Sequence, residues 1–582
     1  MRFIWKYIKP IKMKIATVLL LKAVASFAEL LIPYVLEYII DEVVLKESVP
    51  LVLFWGAVMI ALAVIVRMIH VFANHKAVRN ATDSIYKIRE DLFVKTMNLS
   101  GTRFDSIGLA SLTSRMTSDS YNVQTFVRMV QTMGIRAPML LIGGITITLI
   151  MDPGLAAILC IIAPIMIFLV VFISFKGIHL YDTVQRKIDD IVRVMRENIT
   201  GVRVVKALSK EDYETKRFYR TNEEMTRSDV KASVVMALPG PIMTLFLNCG
   251  LTLVVYIGAI RVNNGVTEPG VILAFLTYFN MVLMGVMGVN RLFMLMSKAN
   301  ASAKRIEEAV EAPDDLLPIP EEEAATTDRP EYIVFDNVTF GYNTKKEESR
   351  ETIGGERQKA VTNIDFAVKK GGSLGIIGAT GCGKTTLFNL LMRFYDTDKG
   401  HVFIDGRDVR TFEKDELHSM FGVVFQNDVL LAGSIKENII FGREVSEEEM
   451  EKAAEYAASA EFIKKYEDAF DHNVTKLGSN LSGGQKQRVL ISRALVANPK
   501  ILLLDDSSSA LDYRTDANVR KAIKEHYPEA TTLVVAQRIS SIMNSDEILV
   551  MDEGRIIGRG THEYLLENCD TYKEIYMTQM GE

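Results

Sequence analysis

The chain has 582 residues and a formal net charge of -5, long enough for several domains and too close to neutral for a nucleic-acid footprint. The average hides a division: residues 1–310 carry long apolar runs with basic flanks, whereas residues 330–582 read as an ordinary soluble α/β domain. Cys160, Cys249, Cys382 and Cys569 are scattered, which argues against a disulfide framework and a Cys-x-x-Cys metal site.

Taken in order, residues 1–14 hold Arg2, Lys6, Lys9, Lys12 and Lys14 with no acid. The apolar run that follows is too long for a signal h-region, so the start reads as an amphipathic lead-in on the cytoplasmic face of an uncleaved membrane protein. Apolar stretches of spanning length recur at 15–40, 51–72, 136–151, 155–175, 234–260 and 271–296. That makes six, with the third and fourth separated by the tight turn Asp152-Pro153-Gly154. Lys and Arg concentrate in residues 1–14, 74–128 and 176–231, which puts the N-terminus and both long connections in the cytoplasm. Between Ala57 and Ser100 there is no Gly or Pro. One helix is therefore expected to run through the membrane and on into the cytoplasm, ending at Phe104-Asp105 and turning through Gly108-Leu109-Ala110-Ser111. The second connection repeats the plan, with its turn at 205–211. Arg67, His70, Asn290 and Arg291 are costly in lipid and are expected to face the bundle interior, a cavity or an interface, with interhelical hydrogen bonding the simplest role for Arg67 and His70. Met281, Met284, Met287, Met294 and Met296 suit an adaptable apolar surface or a plain core. Asp41 reads as a solvated helix end at the external mouth, where it could also help gate release. No anion-binding pocket is legible in this half.

Residues 311–329 turn acidic, Pro-containing and aperiodic, marking a linker. A strand is expected over 332–340, ahead of Tyr342 and a charged insertion at 345–358. The strand 374–377 then leads into Gly378-Ala379-Thr380-Gly381-Cys382-Gly383-Lys384-Thr385-Thr386 and a helical continuation, the P-loop pattern in its strand–loop–helix setting. Its glycines let backbone N–H groups turn toward phosphate, and the helix N-terminus adds positive charge. In such a loop Lys384 would reach the β and γ phosphates and Thr385 would set its hydroxyl on Mg²⁺, while the Cys382 thiol within the loop could be alkylated. Gln426 ends the strand 423–425, LSGGQ occupies 481–485, and the aliphatic run 501–504 ends on Asp505 and Asp506, as a buried parallel strand ends at a ligand site.

P-loop, Gln426, LSGGQ and the paired acids, in that order, resemble an ATP-binding cassette (ABC). With six spans before them, the chain is similar to an exporter-type ABC half-transporter of the multidrug-resistance type. The resemblance implies an all-α six-helix transmembrane domain (1–310), the linker, and an α/β P-loop NTPase domain (330–582), with short coupling helices at the tips of the two cytoplasmic extensions. It further implies ATP and Mg²⁺ as ligands. Tyr342 would stack on adenine, Asp505 would hold Mg²⁺ through water, and Gln426 would link Mg²⁺ and the attacking water to the coupling helices. Two cassettes would close head to tail, so that Leu481, Ser482, Gly483, Gly484 and Gln485, with Asp512 of the following loop, meet ATP on a partner chain.

Three positions depart from that pattern. Asp506 stands where the family has its general-base Glu, one methylene shorter, about 1.5 Å. Gln537 stands in place of the switch His, and 474–480, before the signature, is short and lacks the family's acidic contact to the coupling helices. The expected consequence is a slow ATP site on this chain and a heterodimeric partner that keeps the Glu and the His, its site completed by this LSGGQ. Hydrophobic or amphipathic cargo fits the type; lipid or peptide cargo, or an ATP-binding regulatory subunit without transport, stay open.

Overall fold

The computed structural model describes residues 2–342 and 358–581. Of the charged insertion only Gln358, which opens a strand, is among them; 345–357 lie outside the described residues. The chain divides into two compact units, Met1–Met97 with Ala110–Ala312, and Asn98–Leu109 with Pro313–Glu582.

The first unit is helical: α1 (Arg2–Ile8), α2 (Lys12–Tyr38) and α3 (Val49–Met97) are followed, beyond α4 (Gly101–Ile107) of the other unit, by α5 (Leu109–Ser114), α6 (Ser120–Met133), α7 (Arg136–Met151), α8 (Pro153–Thr200), α9 (Val202–Ala207), α10 (Glu211–Ala237), α11 (Pro239–Asn263) and α12 (Pro269–Val310). Six helical stretches among the described residues are long and apolar enough to cross a membrane. At 49 residues α3 runs about 74 Å, more than twice the roughly 30 Å of hydrocarbon in a bilayer. Its end differs from the expectation. The helix stops at Met97, and Ser100 caps a separate short helix, its Oγ accepting from the Arg103 N–H at 3.2 Å. Phe104 and Asp105 lie inside α4, and only Gly108, at φ +81°, makes the turn.

Asp152 starts α8 rather than simply turning the chain: its Oδ1 accepts from the N–H groups of Gly154 (2.8 Å) and Leu155 (3.1 Å), while Arg261 Nε of α11 donates to Oδ2 at 3.0 Å. Leu155, Leu159, Met166, Phe275 and Phe279 form the main core of the unit. Tyr278 is fully buried, and its hydroxyl donates to the Leu30 carbonyl at 2.7 Å, tying α12 to α2. The solvated end expected for Asp41 does not form. Asp41 is buried and accepts from the Gly270 N–H at 2.7 Å, one of the free donors at the start of α12. Arg67 and Arg291 are exposed on this chain and Asn290 is half-buried. Met284, Met287 and Met296 are exposed, while Met281 packs on the Leu30–Tyr278 cluster.

The second unit contains two larger sheets. Strands β1 (Ile333–Tyr342), β2 (Gln358–Val368), β4 (Lys399–Ile404) and β5 (Arg407–Asp408) form an antiparallel sheet in the order β2-β1-β4-β5. Strands β3 (Ser373–Gly378), β6 (Phe421–Val424), β9 (Ile501–Asp505), β10 (Thr531–Val535), β11 (Glu547–Asp552) and β12 (Arg555–Gly560) form a second in the order β12-β11-β3-β10-β9-β6. A pair of two-residue strands, β7 (Gly433–Ser434) and β8 (Asn473–Val474), lies apart from both. Within the second sheet only β12 is antiparallel. All five residues of β9 are buried, which accounts for its unbroken apolar run up to the terminal Asp.

α4 belongs to this unit although it lies between membrane helices in sequence. The Gly101 N–H donates to the Phe394 carbonyl at 3.1 Å, and Tyr395 Oη donates to Asp105 Oδ2 at 2.7 Å. The approach is so close that a Cβ on residue 101 would lie 2.5 Å from the Tyr395 ring. By contrast α9 leaves Val202 and Val204, and Leu208 just after it, exposed.

Candidate functional site

The strand order assembles the site. Consecutive neighbours β3, β10, β9 and β6 run parallel, so their carboxyl ends set side by side the P-loop after β3, Gln537 after β10, Asp505 and Asp506 at the end of β9, and Gln426 after β6. Open α/β sheets bind ligands at this edge. A cavity of about 410 Å³ opens there, lined among others by Tyr342, Lys384, Thr385, Gln426, Asp506 and Gln537. Thr380, Gly381, Gly383, Thr386 and Asp505 contribute to the same wall, whereas Gly378, Ala379 and Cys382 shape the loop without lining it. Lys359 and Ala360 of β2 complete the rim, and no motif marks them in the sequence.

The loop's conformation rests on its glycines. Gly383 adopts φ +99°, and a Cβ there would lie 2.6 Å from the Ala360 carbonyl oxygen, so a side chain would both strain the backbone and push β2 away. Lys384 begins the helix Lys384–Leu391, and its Nζ donates to the carbonyls of Gly378 and Ala379, each at 2.8 Å. The Cys382 thiol is buried beneath the loop, which removes the accessibility that alkylation requires.

Thr385 Oγ1 donates to Asp505 Oδ2 at 2.7 Å. This pairing suits Mg²⁺: the Thr385 hydroxyl, the Asp505 carboxylate and the Gln426 amide offer oxygen ligands, and Mg²⁺ takes few protein oxygens beside substrate phosphates and water. These residues would hold the ion, which when bound offsets phosphate charge. Both acids are held above the usual carboxylate range. For Asp505 the cause is burial, reinforced by the neighbouring Asp506 and opposed by the Thr385 hydrogen bond and Lys384. For Asp506 it is again burial, opposed by Gln426, Lys384 and Arg538.

The two residues that depart from the family pattern meet. Gln537 Nε2 donates to Asp506 Oδ2 at 2.9 Å. Asp506 sits at φ +51°, a left-handed conformation in which Asp is several-fold enriched over most residues. Gln537 is itself held from the far end of the chain: Gln579, in the helix Asp570–Met580, donates to the Gln537 carbonyl at 2.7 Å and accepts from the Ile539 N–H at 2.8 Å. Nothing in the sequence around Gln579 announces this contact.

Tyr342 ends β1, its hydroxyl donating to Thr386 Oγ1 at 3.3 Å and accepting from Asn389 Nδ2 at 3.2 Å, with its ring edge-on to Tyr395. The LSGGQ segment does not line the cavity. Leu481 is buried, and Ser482 caps the helix Gly483–Leu495 reciprocally with Gln485: the Gln485 N–H donates to Ser482 Oγ and the Ser482 N–H to Gln485 Oε1. Ser482, with Gly483 and Gly484 in the first turn, thereby presents a helix N-terminus of the kind that receives phosphate. Gln487, one turn further on, accepts from the Ala510 N–H and donates to Ser509 Oγ, both at 2.9 Å, so the signature helix is fastened to the loop after Asp506. Arg538 holds the same loop through the Leu511 and Ser509 carbonyls. Asp512 caps the helix Tyr513–His526, accepting from the Thr515 N–H at 2.9 Å. Asn480 satisfies Thr475 and the Asn473 carbonyl, and the segment 474–480 offers no carboxylate.

A family described as "ABC transporter transmembrane region" matches residues 15–287, and one described as "ABC transporter" matches residues 361–509. The uncharacterized ABC transporter ATP-binding protein YfiB of Bacillus subtilis (strain 168) is 34% identical over 577 residues, covering 99% of this chain and 98% of the relative. The uncharacterized ABC transporter ATP-binding protein Rv1273c of Mycobacterium tuberculosis (strain ATCC 25618 / H37Rv) is 31% identical over 579 residues, covering 99% and 97%. A bacterial Atm1-family ABC exporter, solved with ATP bound, superposes with a TM-score of 0.79 at 24% identity over 99% of both chains, a likeness of fold. Six apolar spans and an ATP-binding cassette joined on one chain, with near full-length relatives of the same kind, make this an integral membrane protein that belongs to the ABC transporter family, its ATPase domain coupled to transport.

Proposed function

We propose that the chain is one half of a heterodimeric exporter of hydrophobic or amphipathic compounds, lying in the cytoplasmic membrane with its N-terminus and cassette in the cytoplasm. Its own ATP site binds nucleotide and turns it over slowly, while its LSGGQ completes the hydrolytic site of a partner that carries Glu and His. The 2.9 Å bond from Gln537 to Asp506 carries this reading. The amide takes up one acceptor site of the carboxylate that would have to accept a proton from water, and it lacks the titratable ring of an imidazole. A homodimer would carry this defect twice.

Closure of the pair around ATP is passed to the membrane helices by α4 on this chain's own cassette and by α9, whose exposed Val202 and Val204 the partner's cassette covers. Vesicles reconstituted with this chain and a half-transporter carrying the Glu and the His are expected to accumulate an apolar dye when ATP is supplied outside; nucleotide binding without flux would favour a regulatory subunit instead. Gly101→Val, which forces α4 off the Tyr395 ring, is expected to leave ATP hydrolysis by the pair intact and to cut dye flux about tenfold, which corresponds to about 1.4 kcal/mol of lost coupling. Parallel loss of both activities would mean that α4 supports the cassette rather than couples it.

A further inference from the structure

Four ionisable side chains meet inside the membrane unit: Lys22 and Glu29 of α2, His70 of α3 and Arg136 of α7. Arg136 grips Glu29 twice, Nη2 donating to Oε1 at 2.8 Å and Nε to Oε2 at 3.1 Å. His70 Nε2 lies 3.3 Å from Glu29 Oε2, and Lys22 Nζ lies 3.2 Å from His70 Nδ1 and 3.4 Å from the His70 carbonyl. An ammonium group only donates, so Nδ1 must accept and the proton of a neutral ring sits on Nε2, facing the carboxylate. The network therefore assigns a directed chain, Lys22 to His70 to Glu29, closed from the other side by Arg136.

The chain does not balance. Two cations stand against one carboxylate, and the surplus charge sits where it is least tolerable: Lys22 is 2% exposed and has a ring nitrogen and a carbonyl for partners but no anion. A buried cation that touches no anion and must share the one nearby carboxylate with an arginine is costly, and in a membrane-spanning segment it points to a functional site. Ser26, between Lys22 and Glu29 on the same helix face, is fully buried, and its hydroxyl has no partner. The third N–H of Lys22 and the Ser26 hydroxyl are thus donors without acceptors. At the other end the cluster is open, since the side chains of Arg136 and Glu29 keep 24% and 19% of their surface exposed.

We propose that this cluster binds the carboxylate or phosphate of an anionic amphiphile within the membrane half. That the amphiphile is cargo rests on the export reading above; that the site takes an anion does not. The group enters at Arg136, whose guanidinium keeps donors beyond the two spent on Glu29, and supplies the negative charge that the cluster as a whole lacks.

The test uses the full-length protein in phosphatidylcholine nanodiscs without nucleotide. The probe is a carboxylate-bearing xanthene dye, compared with its methyl ester by fluorescence anisotropy. The acid is expected to bind about tenfold or more tighter than the ester. Lys22→Gln and Arg136→Gln are expected to abolish that preference. Glu29→Gln removes the internal counter-charge and is expected to tighten binding of the acid while leaving the ester unchanged, the opposite of what loss of a merely structural ion pair would do. If either glutamine variant of the cations fails to fold, Glu29→Gln and Arg136→Lys carry the test, the lysine keeping the charge and hence the preference for the acid. Phosphatidylglycerol added to the discs distinguishes the sources: displacement of the dye from wild type identifies a lipid headgroup as occupant, and retention identifies a soluble amphiphile. Equal affinity for acid and ester, or no tightening in Glu29→Gln, overturns the proposal. No step requires ATP, so failure here leaves the export reading standing, and absence of ATP-driven flux leaves the anion site standing.

Discussion

Purified alone, the chain is expected to bind ATP and hydrolyse it slowly, and the double substitution Asp506→Glu with Gln537→His to raise turnover about 10²-fold or more, within the range typical of positioned acid–base catalysis. The geometry explains why both changes are needed. Asp506→Glu alone would return the missing methylene, but Gln537 Nε2 would still compete for the carboxylate, as it now holds Asp506 Oδ2 at 2.9 Å. Gln537→His alone would free the carboxylate and leave it short of the water. The backbone sets a ceiling on recovery, because residue 506 sits at φ +51°, where Asp is better accommodated than Glu. Asp506→Asn gives the reverse control. Robust turnover by the unmodified chain, strongly reduced by this change, would sink the slow-site reading.

In the proposed heterodimer, substitutions in the two halves of the cassette are expected to have very unequal effects. Ser482→Glu sets a carboxylate at the N-terminus of the helix Gly483–Leu495, where the phosphate of the partner's ATP would dock. It should stop the fast site, lowering turnover of the pair by about 10² or more, as when one preorganised oxyanion donor is lost. Lys384→Ala strips the cation from this chain's own loop and should abolish nucleotide binding there, yet lower the pair's turnover far less, because on the slow-site reading that site contributes little of the flux. Steady-state ATPase of the pair, with nucleotide occupancy measured by photolabelling each chain, separates the outcomes. Equal losses from both substitutions would mean that the two sites fire alike, and the asymmetric reading would fail.

Much of the nucleotide site is legible in the sequence because its chemistry is local. Gly378 to Thr386 needs only a strand before it and a helix after it for its backbone N–H groups to converge, and the run 501–504 announces both a buried parallel strand and the acids at its end. The contact between Asp506 and Gln537 was not legible. It depends on β10 pairing beside β9, which brings residues 31 positions apart within hydrogen-bond reach. Gln487 and Gln579 are illegible for the same reason, since each is an ordinary polar residue on a helix until the fold sets it against a loop.

The membrane half shows the other limit. Hydropathy averages over some twenty residues, so it finds six spans and passes over isolated charges such as Lys22, Glu29 and Arg136 within them. His70 is visible as costly in lipid, but its partners Lys22 and Glu29 are contributed by another helix, α2. The absence of Gly and Pro from Ala57 to Ser100 foretold a helix far longer than a bilayer, while Ser100 as a cap moved its end back to Met97.

By itself, then, the sequence determined what period and contiguity can carry: the spans, the P-loop pattern, the signature pentapeptide, and the two residues that break the family's pattern. Tertiary structure alone decided what strand order and helix packing bring together. It joined Asp506 to Gln537, made α4 a part of the cassette's compact unit, and gathered Lys22, His70, Glu29 and Arg136 into one cluster. The physical reason is that hydrogen bonds and ion pairs act over about 3 Å, and only the folded chain sets which distant residues lie that close.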